Sequence, residues 1–362
     1  MSDKPAIRAE AARLLAGFEA RGAQVVDTPV LQPAETLLDL YGEDIRARAY
    51  VTQDPRLGEA MLRPDFTVPV VQMHMQEGAE PARYTYAGEV FRKQEDDATR
   101  PPEYMQVGYE VFDRVDPAGA DAEVFCALHD ALSPLGLRAA TGDIGLIIAA
   151  VAGLSTTEAR KAALMRHLWR PRRFRALLDR FSGKAPMPEG RAALLAQSNP
   201  MDVDAPPIGL RSTMEIATRI EALRQDASTP PIPDHEVALL GDLLSLRETL
   251  ANVATRLDDM AVDLPSIGPA VERFLARLSA LKARGVDLEV IDFEGSYGRT
   301  SLEYYDGFVF GFYAESRPDL PSVASGGRYD ALTRVLGAGR EIPAVGGVIR
   351  PDLALILSEA KS

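Results

Sequence analysis

The chain has 362 residues, with 40 lysines and arginines against 53 aspartates and glutamates, and a formal net charge of −13 at neutral pH. That sign argues against a polyanion as the main partner, because affinity for nucleic acid comes largely from basic side chains neutralising phosphates. An apolar fraction of 46% can fill the cores of about two domains and excludes global disorder. Cys126 is alone, which excludes an intramolecular disulfide and a multi-cysteine zinc site and reads as a small buried hydrophobe. The charged N-terminus carries no apolar signal core, and no run of about 18 uncharged apolar residues could span a bilayer. The expectation is a soluble, cytoplasmic protein with no membrane partner.

In chain order, Ile7, Ala11, Leu14 and Phe18 recur at helical spacing within residues 7–21, and Gly22 is a plausible stop. Val25-Val26 reads as a short strand leading into Thr28-Pro29-Val30-Leu31, where the proline marks an edge or a strand start. From Tyr50 to Glu110 short apolar runs broken by Gly and Pro predict strands. Between them Thr67 to Met75 places Val68, Val71 and Met75 on one helix face. A helix is predicted from Asp121 to Leu137, with Val124, Leu128 and Leu132 on its apolar stripe. Residues 145–285 are rich in Leu, Ala and Arg with helical periodicity, interrupted by loops at 182–190, 199–209 and 230–233. Strands return at Leu288 to Phe293 and Gly307 to Tyr313. A Gly-rich turn near Gly326-Gly327 and a final helix from Pro351 to Ala360 follow. Strands flanking a helical middle favour an α+β fold with an antiparallel sheet, its core formed by residues 1–145 and 288–362, with a helical insertion at 146–287.

Four blocks could carry chemistry. On a strand, Gln106, Gly108 and Glu110 share a face, offering an amide and a carboxylate to an ammonium group with Gly108 leaving room. Arg92 could hold a carboxylate or phosphate bidentately. Asp65 and Thr67 suit either a helix cap or a ligand, and Glu110 with Glu303 or Asp65 could form an acid/base pair. Tyr304 and Tyr305, adjacent in a strand, point to opposite faces, so at most one lines a given pocket and the other belongs to the core or an interface. The Ala324 to Asp330 run lacks the spacing of a phosphate loop and reads as a tight glycine turn with close backbone approach. The four histidines lack metal-ligand spacing, so no metal or cofactor is expected, and no nucleophile elbow is present. The one basic, aromatic-interleaved run, Arg166 to Arg175, suits a solvated helix face or a protein contact.

Taken together, the blocks resemble the core of class II aminoacyl-tRNA synthetases, specifically histidyl-tRNA synthetase. Asp27 to Leu31 looks like the dimer-interface motif 1, and Leu62-Arg63-Pro64-Asp65-Phe66-Thr67 looks like the LRPE-x-T element. Gly88 to Glu110 resembles motif 2, and Leu302 to Phe310 is similar to the histidine-specific LDYY segment. Gly326 to Asp330 with Pro343 to Gly346 resembles the run into motif 3. The resemblance implies a class II synthetase-like α+β core, with Asp65, Thr67, Arg92, Gln106, Glu110, Tyr304 and Tyr305 around a histidine-like ligand.

The ATP side departs from the pattern at four positions. Gln94 replaces the adenine-facing Glu, Pro102 replaces a loop Arg, Thr300 replaces the Arg of the LDYY segment with Arg299 one residue out of register, and Leu353 replaces the ATP-binding Arg of motif 3. Loss of one group that stabilises developing charge costs roughly two to three orders of magnitude in rate, so no catalytic residue is assigned. Only Ala354 to Ser362 follow Leu353, where synthetases continue into an anticodon-binding domain, so no tRNA partner is expected. This combination resembles the non-catalytic, synthetase-like regulatory subunits of ATP phosphoribosyltransferase. The resemblance implies a homodimer within a hetero-oligomer with a short-form catalytic subunit, and feedback by histidine on the first step of histidine biosynthesis. The alternatives are an amino-acid-activating enzyme of the same fold and a truncated histidyl-tRNA synthetase.

Overall fold

The computed structural model describes residues 4–41, 48–93, 101–202, 209–299 and 304–360. Helix α1 (Lys4–Glu19) buries Ala11, Leu14 and Phe18 as their spacing predicts, and the chain turns at Gly22 with φ +90°. Strands β1 (Gln24–Val25) and β2 (Leu31–Pro33) and helix α2 (Ala34–Tyr41) follow. The hairpin β3 (Val51–Asp54) and β4 (Gly58–Leu62) forms a small three-stranded sheet with β2. Helix α3 (Thr67–Glu77) buries Val68, Val71 and Met75, the face that sequence spacing selects. Then come the long hairpin β5 (Ala82–Phe91) and β6 (Glu103–Phe112), helix α4 (Pro117–Leu132) and β7 (Arg138–Asp143). Helix α4 begins before the predicted Asp121. Asp116 caps it by accepting the Gly119 N–H at 2.9 Å, and Pro117 supplies a pre-set first position.

The helical stretch comprises α5 (Ile144–Ala152), α6 (Glu158–Met165), α7 (Pro171–Phe181), α8 (Glu189–Ala196), α9 (Thr213–Ser228), α10 (Asp234–Ser245), α11 (Leu250–Asp263) and α12 (Gly268–Ala283). It also contains a strand that periodicity does not reveal, β8 (Arg247–Thr249). The chain closes with β9 (Asp292–Glu294), β10 (Phe308–Tyr313), β11 (Ala324–Arg328), α13 (Asp330–Leu336), β12 (Ala344–Ile349) and α14 (Pro351–Glu359).

Nine strands form the main sheet in the order β1-β5-β6-β12-β11-β10-β7-β9-β8. The pairs β1–β5 and β7–β9 are parallel and the remaining pairs antiparallel, so the expected antiparallel sheet is mixed towards its two ends. The strand expected at 288–293 is confined to β9, because Val290 is 67% exposed and, of its apolar residues, only Ile291 and Phe293 are buried, with Leu288 half-buried against the core. The glycine turn expected at 324–330 is instead strand β11, with Tyr329 and Asp330 leading into α13. Added Cβ atoms would lie 2.3 Å from the Gly346 carbonyl at position 326 and 2.7 Å from the Phe308 carbonyl at position 327. These glycines serve close strand packing within the sheet rather than a reversal of the chain.

A buried ionic network ties α12 to the sheet. Arg277 donates to Asp143 Oδ2 at 2.6 Å and to Asp121 Oδ2 at 3.3 Å, while Arg328 donates to Asp121 Oδ1 at 2.7 Å. Cys126 is buried in α4, and burial pushes its thiol up from the ordinary value.

Candidate functional site

A cavity of ≈510 Å³ opens over the face of the sheet formed by β6, β12, β11 and β10. Asp65 and Thr67 reach it from the start of α3, Arg92 from the end of β5, and Gln106 from β6. Its far wall is Glu294 to Gly298, and its floor includes Phe310, Ser325, Gly326 and Gly347. The described lining residues include two guanidinium groups, Arg48 and Arg92, and two carboxylates, Asp65 and Glu294, the latter also 4.0 Å from Arg138 and 3.9 Å from Arg247. Balanced opposite charges in one concave site suit a small zwitterion better than a polyphosphate.

Six of the seven residues expected around a ligand therefore share one cavity: Asp65, Thr67, Arg92, Gln106, Tyr304 and Tyr305. Both tyrosines line it, against the expectation that at most one would. They lie in a turn before β10 rather than on a strand, so alternation does not apply, and their rings meet edge-on at 4.9 Å. Burial pushes the Tyr305 phenol above its ordinary range, so it stays a neutral hydroxyl. Gln106 is 3% exposed, and its amide oxygen has no partner among the described residues. Arg92 Nε donates to the Pro64 carbonyl at 2.7 Å, which locks the arginine stem against the α3 entry. Asp65 accepts the Val68 N–H at 3.3 Å while lining the cavity, so its helix-start hydrogen bond does not withdraw it from the site.

Glu110 sits beneath the cavity rather than on its wall. It is fully buried and accepts three hydroxyl donors: Thr67 at 3.0 Å and Tyr86 at 2.8 Å on Oε1, and Tyr329 at 2.6 Å on Oε2. Burial, with the nearby Asp65 charge, outweighs those donors and pushes its carboxyl up to about 7. Gly108 leaves room for the ring of Tyr86, not for a ligand: a Cβ there would lie 2.1 Å from that ring. Sequence reading missed Tyr86 and Tyr329. The signal available was the register, since Tyr86 pairs with Gly108 two residues from Glu110. It also missed Tyr297 and Tyr313, whose hydroxyls meet at 2.8 Å in the cavity wall.

The ATP-side positions fall elsewhere. Leu353 is buried in the core within α14. Arg350, at the head of that helix, pairs with Asp352 at 3.0 Å and lies over the Tyr104 ring. Pro102 is exposed and its carbonyl accepts the Arg92 N–H at 2.8 Å. Arg299 turns away from the cavity, donating to the Leu168 carbonyl at 2.8 Å above the Phe174 ring, and burial lowers its guanidinium to about 10. Gln94, Thr300 and Glu303 lie outside the described residues, as does any pairing of Glu303 with Glu110.

The family model described as histidyl-tRNA synthetase matches residues 3–352. Proteins named ATP phosphoribosyltransferase regulatory subunit from Brucella canis and Brucella suis are each 31% identical over 95% of this chain and 96% of theirs. The chain belongs to this family of synthetase-like regulatory subunits. Among solved structures, an ATP phosphoribosyltransferase regulatory subunit/histidyl-tRNA synthetase from Bacillus halodurans superposes with TM-score 0.68 at 21% identity, covering 99% of this chain and 81% of that one. A histidyl-tRNA synthetase from Nostoc superposes with TM-score 0.63 at 16% identity, covering 98% of this chain and 71% of that one. These likenesses establish the class II synthetase-like fold, in which the mixed sheet carries the cavity. No helix among the described residues is long and apolar enough to cross a membrane.

Proposed function

We propose that this chain is a non-catalytic regulatory subunit that activates a separate, short-form ATP phosphoribosyltransferase in the cytoplasm and conveys feedback by histidine. The partner would join ATP and phosphoribosyl pyrophosphate, the first step of histidine biosynthesis. The chain would form a homodimer through the Asp27 to Leu31 region inside the hetero-oligomer, with the helical region at 146–287 as an insertion in the core.

One observation carries the reading: the cavity is lined by Asp65, Arg92 and Gln106, groups that suit an amino acid, while Leu353, at the position the resemblance gives to a phosphate-binding arginine, is an apolar core residue. In the cavity a histidine ammonium would meet Asp65 and the unpartnered Gln106 oxygen, and its carboxylate would meet Arg92. Adenylation needs cations placed where charge develops on the α-phosphate. Of the described ATP-side positions, Pro102 and Leu353 carry no charge, and Arg299 is engaged with Leu168.

The test is co-expression with a short-form catalytic subunit, followed by co-purification and assay of phosphoribosyl-ATP formation with and without the chain. Association, activation and inhibition by histidine are expected. A catalytic subunit that is fully active alone and insensitive to the added chain would refute the proposal. Histidine-dependent exchange between ATP and pyrophosphate by the chain alone would refute it independently.

A further inference from the structure

A second cavity, of ≈280 Å³, lies within the helical region, far in sequence from the site above. Arg160 of α6, Arg180 of α7 and Arg191 of α8 line it, and the one acidic side chain among its described lining residues is Asp226 of α9. Both oxygens of Asp226 are already taken: Oδ1 accepts Arg160 Nε at 2.5 Å and Oδ2 accepts Arg191 Nη2 at 2.5 Å. Arg160 is further satisfied by the carbonyls of Pro230 and Asp226, at 2.8 and 2.7 Å.

Arg180 is left over. Among the described residues it has no ion pair or hydrogen bond, only its placement 4.8 Å from the Phe181 ring centroid. Its Nε and that of Arg191 are buried donors without partners. Buried N–H groups without partners are costly and uncommon in folded proteins. Three guanidinium groups against one carboxylate leave a surplus of two positive charges around a small cavity. The crowding shows in Arg180 itself, whose guanidinium is held below the ordinary value by burial and by Arg191 and Arg160.

We propose that this cavity binds a dianionic phosphate group, with Arg180 as its principal ligand and Arg191 as the second. A phosphate carries close to two negative charges at neutral pH, matching the surplus, and its oxygens accept the forked donors of arginine. The site is separate from the amino-acid cavity and does not depend on its occupant.

Titration of the full chain with inorganic phosphate in phosphate-free buffer, followed by calorimetry at constant ionic strength, tests the proposal. Saturable binding is expected, with acetate at least tenfold weaker. R180Q should weaken phosphate binding by roughly tenfold to a hundredfold, the loss expected for hydrogen bonds to a charged group, and R180K should fall between. The thermal midpoint of R180Q without phosphate should match or exceed the parent, since a repelling charge is removed; a structural role for Arg180 would lower it. A second measurement needs no variant: phosphate should protect Arg180 from an arginine-specific dicarbonyl reagent, mapped by mass spectrometry. Non-saturable binding, acetate binding as tight as phosphate, R180Q affinity equal to the parent, or absence of protection would each overturn the proposal.

Discussion

The carboxylate of Glu110 occupies the space that a side chain at position 346 would need: a Cβ on Gly346 would lie 1.4 Å from Glu110 Oε2. The two residues face each other in register across β6 and β12. Gly346→Ala must therefore displace a buried carboxylate from three hydroxyl partners. Overpacking alone costs about 1 to 3 kcal/mol, and the lost hydrogen bonds add to it. A markedly lower urea midpoint is expected for this variant, whereas Gly241→Ala, with no heavy atom near its Cβ, should leave the midpoint unchanged or raise it.

Glu110 also makes stability depend on pH. Its carboxyl is raised to about 7 in the fold against an ordinary 4.5, so between those values the native state holds more protons than the unfolded chain. Its contribution is greatest in acid and is lost as pH rises through about 7, with a slope of up to about 1.4 kcal/mol per pH unit. Asp306, also raised to about 7 by burial and by Asp330, acts in the same direction. His74 acts in the opposite direction, since burial lowers its imidazole, so the useful reading is a difference. Relative to the parent, Glu110→Gln should gain stability from pH 5 to about pH 7 in urea titrations and level off above it. Parallel curves would show that Glu110 is ionised throughout.

Arg277 joins α12 to both α4 and β7 through Asp121 and Asp143, and its guanidinium stands over the Phe308 ring at 4.4 Å. Removing one partner of a buried ion pair costs about 3 to 5 kcal/mol, because a charge is left without compensation. Arg277→Met should lose stability on that scale. Asp143→Asn in the same chain should restore part of it, because Asp121 keeps Arg328. Simple additivity of the two substitutions in denaturation curves would mean that the pair does not couple.

Much of this architecture was legible in the chain. The apolar spacing of α1 and α3 selected the faces that pack, and the ordered motifs placed six residues in one cavity although they are spread from Asp65 to Tyr305. Elements shaped by long-range contact were not legible. Strand β8 has three residues and forms only because β9 lies beside it. The Gly326-Gly327 pair looks like a turn until strands β10 and β12 are placed against it. Glu110 looked like a ligand group because strand alternation puts it beside Gln106. That it lies beneath the floor depends on Tyr86 arriving from β5 and Tyr329 from the junction of β11 and α13.

Gln106 separates ligand binding from folding. Its buried amide oxygen has no partner among the described residues, so Gln106→Leu removes an unsatisfied polar atom from the cavity wall, and apo stability should stay level or rise. If the histidine ammonium or imidazole uses that oxygen, the same variant should bind histidine roughly tenfold to a hundredfold more weakly. In the complex, the concentration for half inhibition should rise accordingly, with activation unaffected. Calorimetry on the chain and inhibition curves on the complex measure the two halves separately. A variant that unfolds more easily yet responds normally to histidine would reverse both and move the regulatory ligand out of this cavity.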